Sequence, residues 1–376
     1  MEQHTIIADA CDTPFPAHLD GDSTLVLVFA SRATLERGEI LERIRRGFPT
    51  SRIVGCSASG HFVGSRLDDD HAVVSVLRFE HTTLETASVA IDSPEQSFCA
   101  GRAIGNRLAS PDLRAVLVVS DGTGCNGSAL ALGMNDAVGR DVTIFGGLAG
   151  DGESFERTVV VDDGSAVTGR VVAVGLFGDR VVVDTSSRGG WERFGPERTI
   201  TASTGSTLCG LDGEPALDLY SRYLGERAAE LPGSALLFPL TIRNPTDTDD
   251  HGTVRSVLGV DHDTKAMTFA GDVPRGWRAQ LMRANFDALV DGAADAAEDL
   301  GALDGIVGDA VCLAVTCVGR RTVLGCRTED ELDAVVDVLD DVPLVGFYSY
   351  GELTSGRDGR CTLQNQTMTL TMIGET

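Results

Sequence analysis

Lysine is nearly missing from this 376-residue sequence: Lys265 stands alone against thirty arginines, and the 31 basic residues face 56 Asp and Glu, a net charge of −25. Binding to nucleic-acid phosphates or anionic lipid relies on basic patches, so neither a nucleic acid nor a membrane surface is an expected partner. Aromatic residues are scarce too, at 5%. No run approaches the roughly 18 consecutive apolar residues that suggest a membrane span. The N-terminal MEQHTIIADACDTPF has no basic stretch leading into an apolar one, which argues against a secretory signal. A cytoplasmic location is therefore expected. The nine cysteines form no CxxC pair, so neither a zinc ribbon nor a disulfide framework is suggested, and reduced thiols serving as small buried hydrophobes are expected instead.

What is present describes a globular chain. Apolar residues make up 42% and charged residues 23%, enough to bury a sizeable core in two or three domains or one large one. Three segments repeat one plan. LVLVFAS (Leu25 to Ser31) leads through a helical stretch with Leu35, Ile40, Leu41 and Ile44 to RIVGCSASGHF. AVLVVSDG (Ala115 to Gly122) leads through SALALGMNDAVGRD to VTIFGGLAGDG. VCLAVTCVGRR (Val311 to Arg321) leads through TEDELDAVVDVLDDV to PLVGFYSYGEL. Each shifts from a continuous apolar run to helical spacing and back, the signature of β-α-β, and each second strand ends at a glycine: Gly55, Gly146 and Gly346. In the third copy Thr328 and Glu331 have the spacing of a capping box.

After that glycine the first and third copies continue through Gly60 and Gly351 into a polar turn and a long strand, HAVVSVLRF in one and CTLQNQTMTLTMI in the other. The expected fold class is α/β: two mixed α/β domains built on repeated β-α-β-Gly units with antiparallel hairpin extensions. Residues 1–22 read as an N-terminal extension, 23–205 as the first domain and 206–376 as the second. The stretch RAQLMRANFDALVDGAADAAEDLG reads as helical.

These motifs resemble the FIST family, on IVGCSASG, IFGGLAGDG, LDGEPALDLYSRYLG, AVTCVGRR and PLVGFYSYGEL followed by LQNQTMTLT. The resemblance implies a sensory module with N-terminal and C-terminal FIST domains that binds a small ligand and acts through a partner protein. One similar bacterial subgroup stands alone as two FIST domains, binds haem, senses nitric oxide and controls a histidine kinase. By that likeness haem is a possible cofactor and a histidine kinase a possible partner.

Candidate ligand-binding residues cluster in the third copy. Cys317 ends a buried strand and is followed by Arg320 and Arg321; neighbouring cations favour thiolate, so a nucleophilic or redox-sensitive thiol competes with an inert, half-buried one. A cysteine-dependent hydrolase using Cys317 is the alternative from another class, although no local motif pairs it with a histidine. Glu352 and Asn365 would lie close if the strand after the turn pairs with the strand before it, and a carboxylate with an amide can take an amine or hydroxyl, as in an amino-acid-type metabolite. Tying down the turn is their plainer role. Tyr348 and Tyr350 suit either a contact surface or strand-end packing. His61, in the place of Glu352 in the first copy, is the candidate axial ligand if haem binds, since iron needs an imidazole in an apolar pocket. SDGTGCNGSAL is a glycine-rich strand-to-helix turn without a P-loop lysine, suited at most to lining a pocket.

Overall fold

The computed structural model describes residues 1–8, 14–231, 233–246, 252–301, 306 and 308–376. The three repeats are β-α-β units. In each, the two strands run parallel, and the glycine lies opposite the same position: Gly55 beside Val28, Gly146 beside Val118, Gly346 beside Ala314. A Cβ on Gly55 or Gly146 would stand 1.9 Å from the facing valine carbonyl oxygen, and on Gly346 2.3 Å from that of Ala314. No real Cβ approaches an oxygen so closely, which is why all three copies carry glycine there.

Each unit forms the middle of a six-stranded sheet, and the three sheets share one order. An edge strand is followed by an antiparallel strand, the two parallel strands of one unit, and a hairpin. The first sheet runs Glu2–Ala8, Ala72–Arg78, Thr24–Ala30, Arg52–Ser57, then the hairpin Val160–Asp162 with Ser165–Val167. The second runs Thr83–Ala90, Arg170–Phe177, Leu113–Ser120, Thr143–Leu148, then Gly351–Ser355 with Cys361–Gln364. The third runs Val181–Arg188, Met368–Glu375, Val311–Cys317, Leu344–Ser349, then His61–Val63 with Arg66–Asp68.

The hairpin is always donated by another unit. The first unit's closes the third sheet, the third unit's closes the second, and the second unit's closes the first. At the crossing point the chains are tied by a ring of three backbone hydrogen bonds: Gly150 N–H to Ser57 O at 2.8 Å, Ser59 N–H to Tyr348 O at 2.8 Å, and Tyr350 N–H to Leu148 O at 3.2 Å. The arrangement is pseudo-threefold. The inner faces of the sheets share one core that includes Leu27, Phe29, Leu117, Phe145, Leu313 and Phe347, with Phe29 stacked on Phe347 at 4.5 Å. Each outer face is covered by its own helices: Arg32–Arg37 and Glu39–Gly47, then Ser97–Leu108 and Gly127–Val138, then Phe286–Glu298 and Thr328–Leu339.

An additional antiparallel sheet between Glu192 and Arg283 has its own core around Leu208, Tyr220 and Phe269. The second, third and additional sheets each combine strands from both sides of position 205/206. Residues 2–8 of the expected N-terminal extension are the edge strand of the first sheet. Three local expectations are corrected. Arg278–Arg283 is a strand, and only Phe286–Glu298 is helical, capped by Asn285. The long strand expected at the C-terminus breaks into Cys361–Gln364 and Met368–Glu375, with Gln366 at φ +62° between them. Thr328 does not cap its helix; its hydroxyl donates to the Gly325 carbonyl oxygen at 2.6 Å, and Glu331 is turned inward.

Candidate functional site

Ligands in open α/β sheets lodge beyond the carboxyl ends of the parallel strands. Here those ends converge, and a cleft of about 430 Å³ opens among them. Ser59 and Leu67 come from the segment after the first unit, Gly152 and Glu153 from that after the second, and Val318, Arg321 and Thr322 from the helix Val318–Leu324 of the third.

Arg321 is held in a fork. Its Nη1 donates to Asp69 Oδ1 at 2.9 Å and to the Ser59 carbonyl oxygen at 2.5 Å, and its Nη2 donates to Asp69 Oδ2 at 2.5 Å. The guanidinium also lies 5.7 Å from the centre of the Tyr348 ring. Gly60, at φ +120°, makes room for it, since a Cβ there would come within 2.2 Å of Nη1. On the opposite wall the Thr322 hydroxyl donates to Glu153 Oε1 at 3.0 Å. Next to the cleft, the Tyr350 hydroxyl accepts from the Asp151 N–H at 3.1 Å and the Phe155 N–H at 3.2 Å and contacts the Asp151 carboxylate. Its ring stacks on Phe155 at 4.4 Å.

Of the candidate ligand and cofactor residues named from the sequence, only Arg321 lines this cleft, with Tyr348 beneath it and Tyr350 close by. Arg320 is fully buried and turned away: Nε and Nη2 donate to Glu331 Oε2 at 2.9 and 2.7 Å, and Nη2 also to the Leu289 carbonyl oxygen at 2.8 Å. The Tyr348 hydroxyl donates to the other oxygen of Glu331 at 2.8 Å, so Arg320, Glu331 and Tyr348 form an internal brace between two helices and a strand. Breaking one partner of such a buried pair would leave an uncompensated charge.

Of the two readings of Cys317, its surroundings favour the inert, buried thiol. Burial pushes the thiol up to about 12, and nearby Glu352 adds to the rise; the Gln366 and Gly319 N–H groups and Arg320 oppose it without prevailing. Glu352 and Asn365 are both buried but are not hydrogen-bonded to each other. The strand after the polar turn, Cys361–Gln364, does pair with the strand before it, Gly351–Ser355, which on its other side pairs with Thr143–Leu148; Gln364 lies opposite Glu352 and Asn365 follows it. Glu352 accepts from the Ser349 hydroxyl at 3.1 Å and from the Thr367 hydroxyl and N–H at 2.8 and 3.3 Å. Asn365 donates to the Gln364 carbonyl oxygen at 2.9 Å, and its own Oδ1 is buried without a partner. In SDGTGCNGSAL the Asp121 carboxylate takes the N–H groups of Thr123, Gly124 and Gly169, and Asn126 donates to Asp272 at 3.1 Å. That loop is a structural joint.

His61 does not fit an axial haem ligand. It is buried, its Nε2 donates to the His71 carbonyl oxygen, and it does not line the cleft. Burial lowers its pKa, so the ring is neutral, with Nδ1 enclosed and unpartnered. His4, His18, His71, His81 and His262 are exposed, and His251 lies outside the described residues. The cleft itself is faced by carboxylate, guanidinium and hydroxyl groups, a poor lining for an apolar macrocycle.

Asp69, Glu153 and Thr322 were missed in the sequence. Their partners lie 252 and 169 residues away, and Asp69 is one of three successive aspartates with nothing local to single it out.

The fold and the cleft define an α/β protein with a small polar recess at converging strand ends, of the kind that holds a small ligand. Residues 24–214 match the FIST N domain and residues 216–355 the FIST C domain; the chain belongs to the FIST family. FIST domains are sensory, small-ligand-binding signalling domains. No curated protein matches the chain. Among the described residues no helix is long and apolar enough to cross a membrane.

Proposed function

We propose that this protein is a non-catalytic, cytoplasmic sensor that binds a small polar ligand in the Arg321–Glu153 cleft and passes the response to a partner protein. The observation that carries the reading is the cleft's construction. Its walls come from three chain segments far apart in sequence, so a ligand touching all of them would favour one arrangement of the three units over another, which is what a sensor requires. A histidine kinase is the partner that the family likeness suggests. The haem-based form has no support from His61. The hydrolase form has none from Cys317, which is buried with its pKa raised. A polar metabolite suits the lining better than either.

Native mass spectrometry of the purified chain, with thermal unfolding against a panel of polar metabolites, tests this. A retained or stabilising small molecule whose effect is lost in Arg321→Ala is the expected result. A Soret band developing on hemin titration, lost in His61→Ala, would replace the polar-metabolite reading with the haem one.

A further inference from the structure

We infer that the ligand of this cleft, taking the cleft as the ligand site proposed above, is a small organic cation presenting a protonated amine. Charge comes first. Arg321 is the cation of the lining among the described residues, and its fork is already matched by Asp69. Among the described residues the Glu153 carboxylate receives only the Thr322 hydroxyl and no cation. A second carboxylate, Glu329, accepts from the N–H of the lining residue Leu67 at 3.4 Å. The lining thus holds one cation, already matched by Asp69, and one carboxylate, Glu153, that no cation matches among the described residues, inside a chain whose net charge of −25 already draws cations toward it.

Hydrogen-bonding capacity points the same way. The hydroxyl protons of Ser59, Thr322 and Thr328 are engaged within the protein, by the Gly152 carbonyl oxygen at 3.1 Å, Glu153 at 3.0 Å and the Gly325 carbonyl oxygen at 2.6 Å. A hydroxyl whose proton is engaged can only accept, and an ammonium is the group with three donors and no acceptor. The N-terminus of the helix Thr328–Leu339, which would otherwise attract an anion, carries Glu329 and Asp330 in its own first turn.

Isothermal titration of the full chain at constant ionic strength tests the inference, with 1,4-diaminobutane and n-butylamine against succinate and butyrate. The amines bind and the carboxylates do not. Glu153→Gln weakens amine binding by about tenfold, the size of one charge-assisted hydrogen bond, while Asp333→Asn, an exposed change on an outer helix, leaves it unaltered. Equal amine binding in wild type and Glu153→Gln overturns the inference. Carboxylate binding lost in Arg321→Ala overturns it too but keeps the cleft as the site. If neither class binds, the cleft reading falls with it.

Discussion

Glu352 is fully buried with three hydrogen-bond donors around it and, among the described residues, no cation in contact. Burial raises its pKa to about 8 against the donors and Arg320, which pull it down. A carboxyl that stays protonated in the fold while the unfolded chain ionises near its model value of 4.5 contributes stability that is full below pH 4.5 and is lost as pH rises toward 8. The loss is at most about 1.4 kcal/mol per pH unit. Glu352→Gln keeps the shape and removes the ionisation, so urea unfolding at pH 5, 6, 7 and 8 should show wild type declining more steeply than the variant. Parallel declines would mean that Glu352 is ionised in the fold. The same residue marks a limit of sequence reading. The chemistry of Cys317 and Glu352 was inferred from neighbours in the chain, yet the neighbouring arginines turn to Glu331 and Asp69, and enclosure decides both pKa values.

At the scale of elements, the β-α-β units were legible because each writes its own pattern: a buried run, a helical period, a second run and a glycine. Their hairpin partners were not, because alternation tells which face of a strand is apolar and says nothing of which neighbour it joins. The Gly351–Ser355 strand carries no mark that sends it to Thr143–Leu148. Likewise the Thr328–Glu331 spacing fits a capping box and a buried ion pair equally well, and only the packing of Arg320 chooses. The glycines were seen as a repeat, and their reason is the facing carbonyl oxygen. Gly55→Ala and Gly346→Ala should each cost more than about 3 kcal/mol, beyond ordinary overpacking because backbone must move. Gly259→Ala, where a Cβ meets nothing within 4 Å, should be close to neutral. Thermal unfolding of the three variants checks this. A mild effect at Gly346 would show that the paired strands can separate, and would undo the account of the repeat.

For the whole molecule the carboxylate excess has a definite consequence. On the helix Phe286–Glu298, Asp287, Asp291 and Asp295 recur every four residues and are exposed, and Asp330, Asp333 and Asp337 do nearly the same on the adjoining helix Thr328–Leu339. Like charges at that spacing repel by a few tenths of a kcal/mol per pair, and a net charge of −25 on a compact body adds longer-range repulsion. Salt screens both. The Debye length falls from about 30 Å at 0.01 M to about 3 Å at 1 M. Salt also weakens surface ion pairs such as Arg327 with Asp287 and Asp330, but exposed pairs contribute only about 0–1 kcal/mol each, and the 31 basic residues are too few to pair the 56 acidic ones. Repulsion therefore dominates the salt response. The thermal midpoint should climb by several degrees as NaCl rises from about 0.01 M to about 1 M, with the steepest part at the low end where the Debye length shrinks fastest. A midpoint that stays level or drops over that range would mean that ion pairing, and not self-repulsion, governs the stability of this surface.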